Sequence, residues 1–494
     1  MTPVLDKPST RATERHAPQA PERVSRSAVG ASATVGLRRR LAVLRATRYA
    51  IAADPEALVS ACRLPWRTRD AETLQAEVLP LCDAMRGLER WAASVLRGRR
   101  VGARRRPAWL WGVSSVVRRE PVGTVLIVAP ANYPLLLPGV QLVQAYAAGN
   151  RVAVKPAPGC RAVMDALVAI LRASGMDTHA VEVLDADPAE ATRRIEAGAI
   201  DKVFLTGSDR TGRAVMRLLA DCGVPSVMEL SGCDAMAVLE DAELDRVVKA
   251  LRFGLRFNAS QTCIAPRRVL VHAARYDALC ARADEIVRGL PEGSIPEAAF
   301  DKARAAVDEA VAAGASVAAG ALDTGLVLRD VTPDMAVARE DLFAPVTSLM
   351  RCRDAAAMRD AYAHCDYRLG ASVFGHRDAD AFADELDAGH VVVNDLIAPT
   401  ADPRLPFPAR GRSGFGVTRG PEGLLEMTQP KVTCRRRGGL LAHLDEPTEV
   451  DDDLAHALLR AGHARGLASR LAAFATLARL GKTRSVSPHG DDRS

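Results

Sequence analysis

Short runs of aliphatic and β-branched residues alternate with stretches of helical spacing through most of this chain. That alternation limits the fold more than any other feature. "TVLIVAP" (124–130), "RVAVKPAP" (151–158) and "KVFLTGS" (202–208) are continuously apolar at their centres, "HAVEVL" (179–184) is apolar at its centre but for Glu182, and a helical segment separates each from the next. A strand that is apolar on both faces needs cover on both. A strand that returns through a helix lies parallel to its predecessor. A second series begins near residue 226, with "SVMELSG", "DAMAVLED", "RRVLVHAA", "EDLFAPVTSLM", "ASVFG" and "HVVVND". Two such series predict an α/β chain with two Rossmann-like lobes and a cleft between them as the natural binding site.

Composition agrees with a folded enzyme-sized chain. Of 494 residues, 48% are hydrophobic, enough for more than one core. The formal charge of +6 is small for this length and gives no reason to expect a nucleic-acid partner. The ten cysteines form no CxxC pair, so a zinc ribbon is not expected and a reducing cytoplasm is the simplest setting. Residues 1–35 are rich in Pro, Ser, Thr and Arg and read as a disordered extension without the apolar core of a secretory leader. No stretch is long and apolar enough for a membrane span.

Chemistry concentrates around "NASQTCIAPRRVLV" (258–271), where Cys263 sits in a small polar loop that runs into a strand. A lone cysteine is more often a buried thiol than a nucleophile. A nucleophilic one needs a setting that favours thiolate, a donor for the oxyanion and a base for the second half-reaction. Upstream lie "APANYPLLLP" (129–138), "VAVKPAP" (152–158), "FLTGSDRTG" (204–212) and "MELSG" (228–232). Downstream lie "EDLFAPV" (340–346), "VVVND" (391–395) and "PFPARGRSGFG" (406–416). In this order the motifs resemble those of the aldehyde dehydrogenase superfamily, from about 114 to 433 and more loosely back to about 40.

The resemblance implies roles position by position. Cys263 would attack the aldehyde carbonyl, and Asn132 with the Cys263 backbone N–H would hold the oxyanion. Glu229 would activate the water that hydrolyses the thioester. NAD or NADP would be the cofactor, with Lys155 at its adenosine ribose, Gly207 and Ser208 beside the pyrophosphate, and Asp341 and Phe343 near the nicotinamide ribose. The expected division is 36–228 for the NAD(P)-binding domain and 229–415 for the catalytic domain. A hairpin arm at 114–122 and a return strand within 416–437 would build a homodimer, and 438–494 would be an acidic linker and a basic helical tail.

The chain departs from the family pattern in places. Pro158, with Arg161 beyond it, stands where many NAD-using relatives carry a glutamate, which leaves NADP open. Asp341 replaces a glutamate, Ser231 and Ser260 replace glycines, and Cys233 stands where lysine is frequent. The segment "GRSGFGVTRGPEGLLEMT" (411–428) is similar to aldehyde dehydrogenases of carotenoid and other terpenoid pathways, which suggests a long apolar or isoprenoid aldehyde. In the tail, Leu467, Leu471, Phe474 and Ala478 share one helical stripe. This helix either packs on its own dimer or makes peripheral contact with an anionic membrane surface. An acylating or thioester-reducing relative, and a non-catalytic scaffold or membrane-binding member, are the alternatives. Glu229 counts against the first pair, and the intact trio of Cys263, Glu229 and Asn132 counts against the rest.

Overall fold

The computed structural model describes residues 36–486 apart from 68, 105, 111, 292–294, 438–442 and 445. The expected disordered extension, 1–35, lies outside them, as does part of the 438–494 segment. The chain forms two compact units, Met1–Val95 with Pro121–Gln429, and Leu96–Glu120 with Pro430–Ser494.

Strands β1 (Arg99–Val101) and β2 (Val113–Pro121) belong mainly to the second unit. In the first unit, β3 (Thr124–Val128), β4 (Arg151–Lys155), β5 (Val181–Val183), β6 (Lys202–Thr206) and β7 (Ser226–Glu229) are parallel neighbours. The sheet runs β16-β7-β6-β3-β4-β5, with β16 (Gly414–Phe415) antiparallel to β7. The chain therefore winds outward from β3 through β4 to β5 and then crosses back to β6 on the other side of β3. At such a reversal the loops after neighbouring strands diverge and leave a crevice at their carboxyl ends. Asn132 follows β3, Gly207 and Ser208 follow β6, and Lys155 ends β4.

A second sheet holds β8 (Asp234–Val238), β9 (Pro266–His272), β10 (Ser316–Ala321), β11 (Gly325–Arg329), β12 (Val346–Cys352), β13 (Gly370–Phe374) and β14 (His390–Val393). Its order is β10-β11-β12-β9-β8-β13-β14, and every pairing is parallel except β10 with β11. Strands β8 and β13 are buried at every residue, which is the physical reason for their unbroken apolar runs. The two-lobed α/β reading of the sequence is what the chain adopts. A small antiparallel pair, β15 (Phe407–Pro408) with β17 (Val417–Thr418), sets Thr418 opposite Phe407.

In the second unit, β1, β2 and β18 (Thr428–Arg436) form a three-stranded sheet. Within the expected 416–437 the late strand takes only Thr428–Arg436, because a helix, Gly420–Glu426 with Pro421 in its first turn, occupies the preceding residues. The tail is a pair of helices, Asp451–His463 and Leu467–Val486, and not one continuous helix. Gly466 at φ +95° turns the chain between them, and Arg470 Nε donates to the Ala461 carbonyl at 3.2 Å, capping the first helix. Buried alanines, Ala457, Ala461 and Ala473, mark the packed faces. Leu467, Leu471 and Phe474 stay 73%, 58% and 50% exposed in this chain.

Candidate active site

The loop that carries Cys263 is built under strain. After the helix Leu244–Arg256, Asn258, Ala259 and Ser260 adopt φ of 55°, 47° and 59° in succession. Three non-glycine residues hold a left-handed conformation only where neighbours over-determine it, and strain of that kind clusters at functional sites. The neighbours are visible. Buried Asn258 accepts at Oδ1 from Trp66 Nε1 (3.2 Å) and from Arg67 Nε (3.1 Å) and Nη2 (2.9 Å). Its Nδ2 donates to the carbonyls of Asn132 and Gln261, both at 3.1 Å. Arg267 donates to Ser260 Oγ (2.8 Å) and to the Ser260 carbonyl (2.6 Å). The hydroxyl of Ser260, where the family pattern has glycine, is thus part of the brace.

Arg67 is fully buried and paired with Glu77, also fully buried. Glu77 Oε2 accepts from the N–H groups of Leu135 (3.0 Å) and Leu136 (2.6 Å) at the start of the helix Leu136–Ala148. Arg67 Nη2 also donates to the Asn132 carbonyl at 2.7 Å. One ion pair therefore fixes both the nucleophile loop and the turn carrying Asn132. Glu77 lies in a π-helical turn, Leu74–Val78. The sequence reading singled out neither member. Arg67 stands among other arginines, and no local pattern ties it to Asn258.

Asn132 is buried, and its Nδ2 donates to the Gln261 carbonyl at 2.9 Å. One of its two amide hydrogens is free for another acceptor. Glu229 ends β7 and is 2% exposed; Thr418 Oγ1 donates to its Oε2 at 2.7 Å, and its Oε1 has no partner among the described residues. Burial raises its carboxyl pKa above the usual range, against the opposing pull of Arg419 and Thr418. Burial also pushes the Cys263 thiol well up, and Glu229, Asp234 and Asp341 add to that effect while Arg419 counters it. This setting favours the thiol over the thiolate.

Two cavities meet at Cys263. One, of about 670 Å³, is lined by Asn132, Gly207, Ser208, Ser231, Cys263, Asp341 and Phe343 among others. The other, of about 260 Å³, is apolar, with Tyr133, Leu136, Phe253, Phe257, Ile397 and Phe407 in its wall and Arg419 as its one charged lining residue. Ser208 caps the helix Asp209–Cys222 by accepting from the Thr211 N–H at 3.1 Å, which leaves that helix N-terminus facing the larger cavity. The Asp209 carboxylate there is neutralised by Arg213 at 3.0 Å and Arg412 at 3.2 Å.

Asp341 lies 3.7 Å from Arg267, accepts from the Phe343 N–H at 3.1 Å, and keeps Oδ2 buried without a partner among the described residues. Burial moves its carboxyl up to about 6. Glu229 and Lys155 line neither cavity. Lys155 is buried at the end of β4, where burial lowers its pKa. Pro158 is exposed. Arg161 is engaged with Asp165 (3.3 Å) and the Leu184 carbonyl (3.0 Å). Cys233 is buried in a cluster with Cys365 and Tyr367; it lines neither cavity itself, while Tyr367 lines the larger one.

Comparison with known proteins agrees with this geometry. The profile of the aldehyde dehydrogenase family matches residues 3–433. A 4,4′-diapolycopene aldehyde oxidase of Methylomonas sp is 31% identical over 388 residues, covering 75% of this chain and 72% of that protein. A succinate-semialdehyde dehydrogenase [NADP(+)] of Deinococcus radiodurans is 34% identical over 347 residues, covering 64% and 71%. Among solved structures, the NADP-dependent glyceraldehyde-3-phosphate dehydrogenase of Bacillus halodurans, complexed with NADP, superposes with a TM-score of 0.76. It is 26% identical, over 84% of this chain and 90% of that one. The chain belongs to the aldehyde dehydrogenase family.

Proposed function

We propose that the protein oxidises an aldehyde to a carboxylic acid with NAD or NADP, through a thiohemiacetal and a thioester on Cys263. The observation that carries this reading is the position of Cys263, which borders both the larger cavity and the apolar one. The larger cavity suits a dinucleotide. Asp341 Oδ2 is a buried acceptor without a donor among the described residues, as a ribose hydroxyl would require, and a helix N-terminus borders the same space, as a pyrophosphate would require. Lys155, at the neighbouring strand end, is proposed for the adenosine ribose.

The steps follow from the residues. Cys263 loses its proton to solvent water, and the thiolate forms a C–S bond to the carbonyl carbon as the C=O π pair moves to oxygen. The free Asn132 amide hydrogen and the Cys263 backbone N–H hold that alkoxide. A nicotinamide bound in the larger cavity would supply the hydride acceptor for this carbon, and loss of hydride would re-form the C=O bond and leave a thioester on Cys263. Glu229 takes a proton from water, the hydroxide adds to the thioester carbon, and the C–S bond breaks to return the thiolate. This last role requires the Glu229 side chain to turn from Thr418 toward Cys263, since it lines neither cavity at rest. A base with a raised pKa suits reversible proton transfer.

The apolar chamber favours an apolar or aromatic aldehyde. The diapolycopene-oxidising relative supports an isoprenoid one, with the chain extending out of the roughly 260 Å³ space. The exposed Pro158 places no carboxylate at its position, and the NADP-named relatives support acceptance of NADP. We assign β18 as the edge of a homodimer, because its row of exposed residues leaves a strand edge that pairing would satisfy. An aldehyde panel from short to isoprenoid, read by NAD(P)H absorbance with each cofactor, tests the reading. Cys263→Ala should abolish turnover with every substrate. Residual activity above a few per cent would overturn the assignment.

A further inference from the structure

Arg419 is the least ordinary residue of the site, and the steps above give it no role. Its backbone lies at φ 62°, ψ 174°, a region that belongs to glycine. Its guanidinium is stacked over the Phe407 ring at 4.5 Å and donates from Nη1 to the Thr400 carbonyl at 3.0 Å. The Nε is buried without a hydrogen-bond partner among the described residues. A side chain that surface exposure would hydrate is instead held against an apolar wall by a strained backbone. It lines the chamber that Cys263 also lines, and its chain neighbour Thr418 holds Glu229.

The electrostatics explain what such an arrangement would accomplish. The groups acting on Cys263 are Glu229 from β7, Asp234 from β8, Asp341 from the loop before β12, and Arg419. Tyr133 is also coupled to the thiol, and its own hydroxyl is pushed far up by burial. Three of these groups are acids that oppose a thiolate, and Arg419 is the cation that favours it. Arg419 likewise favours the ionised form of Glu229, and it adds to the burial that lowers the pKa of nearby His390. In an apolar chamber a fixed charge acts at longer range than in water, because the surroundings screen it little.

We propose that Arg419 is a positioning residue of this centre, the fixed counter-charge that allows Cys263 and Glu229 to hold negative charge beside the apolar chamber. The inference rests on the reading of Cys263 as nucleophile. Its test follows the thiol directly, so that the two can fail separately.

The rate of Cys263 alkylation by iodoacetamide is measured by peptide mass from pH 6 to 10 in the wild-type chain, Arg419→Lys, Arg419→Met and Arg419→Gly. Loss of the charge should slow alkylation at pH 7.5 by about tenfold and displace the whole curve to higher pH, and lysine should restore most of the rate. The acid limb of kcat/KM should move in the same direction, while KM for a neutral aldehyde changes little. The glycine variant guards against misfolding, since its backbone suits φ 62° and it should melt no lower than wild type. An unchanged alkylation curve in both the Met and Gly variants overturns the proposal, as does a Lys variant no better than Met. An enzyme whose turnover survives Cys263→Ala overturns the reading of the nucleophile instead.

Discussion

At the scale of single residues, the site is a set of buried acids around one thiol. Glu229→Gln removes the proton acceptor but leaves Cys263, Asn132 and both cavities in place. Thioester hydrolysis should then slow more than hydride transfer, so stopped-flow traces should show one rapid equivalent of NAD(P)H followed by a steady rate at least about 100-fold below wild type. A steady rate equal to wild type would show that another group activates the water. Asp234 is a different case. Burial moves its carboxyl up to about 8, although the Gly370 N–H donates to it at 3.1 Å. The folded chain thus keeps a proton that the unfolded chain loses near pH 4. This contribution to stability is complete below pH 4 and disappears as pH rises toward 8. Asp341, moved up to about 6, adds the same sign of dependence over a narrower span. Asp234→Asn keeps the acceptor and removes the titration. Its melting temperature should fall less than that of wild type between pH 6 and 8.5, and parallel curves would refute the assignment.

At the scale of elements, the Arg67–Glu77 pair joins three pieces of chain that sequence separates widely. It ties the π-helical turn Leu74–Val78 to the start of the helix Leu136–Ala148, to the Asn132 turn and to the Cys263 loop. Removing one partner of a fully buried pair leaves an uncompensated charge, at a cost of about 3–5 kcal/mol. Glu77→Gln should therefore lower the urea midpoint strongly and slow turnover even though Glu77 touches neither cavity. The same change at Glu340, whose pair with Lys302 is half-exposed at 3.3 Å, should cost less than about 1 kcal/mol. Similar losses for the two variants would mean that Arg67 finds another partner. The pair was not legible beforehand because helical spacing in "LQAEVLPLCDAM" identifies a helix face and says nothing of what Glu77 meets.

At the scale of the whole molecule, the open question is what covers the tail. Leu459, Leu467, Leu471 and Phe474 are exposed in a single chain while alanines fill the contact between the two tail helices. If this stripe packs in a homodimer of the kind proposed, Leu471→Glu with Phe474→Glu should lower the mass seen by analytical ultracentrifugation and the melting temperature, with no change in Cys263 alkylation. If the stripe instead meets an anionic membrane, the mass stays constant and the variant loses sedimentation with anionic liposomes, in a salt-dependent way. No helix among the described residues is long and apolar enough to cross a membrane.

Much of this protein is written locally. Unbroken apolar runs determine the parallel strands, because a strand covered on both faces has no polar side to show. Turn and cap residues such as Gly149 and Ser208 place the ends of elements, because they satisfy backbone groups within a few residues. The motif around Cys263 and the acid at 229 could be singled out because the roles proposed for them depend on residue type at a position along a strand end or loop. Tertiary structure alone decided which charges meet. Arg67 reaches Asn258, Thr418 reaches Glu229 through the pairing of β17 with β15 and the proximity of β7, and Arg419 comes to share a wall with Cys263. Coulomb interactions and burial depend on distance in space and on the surrounding dielectric, and neither is encoded in the spacing of letters along a chain.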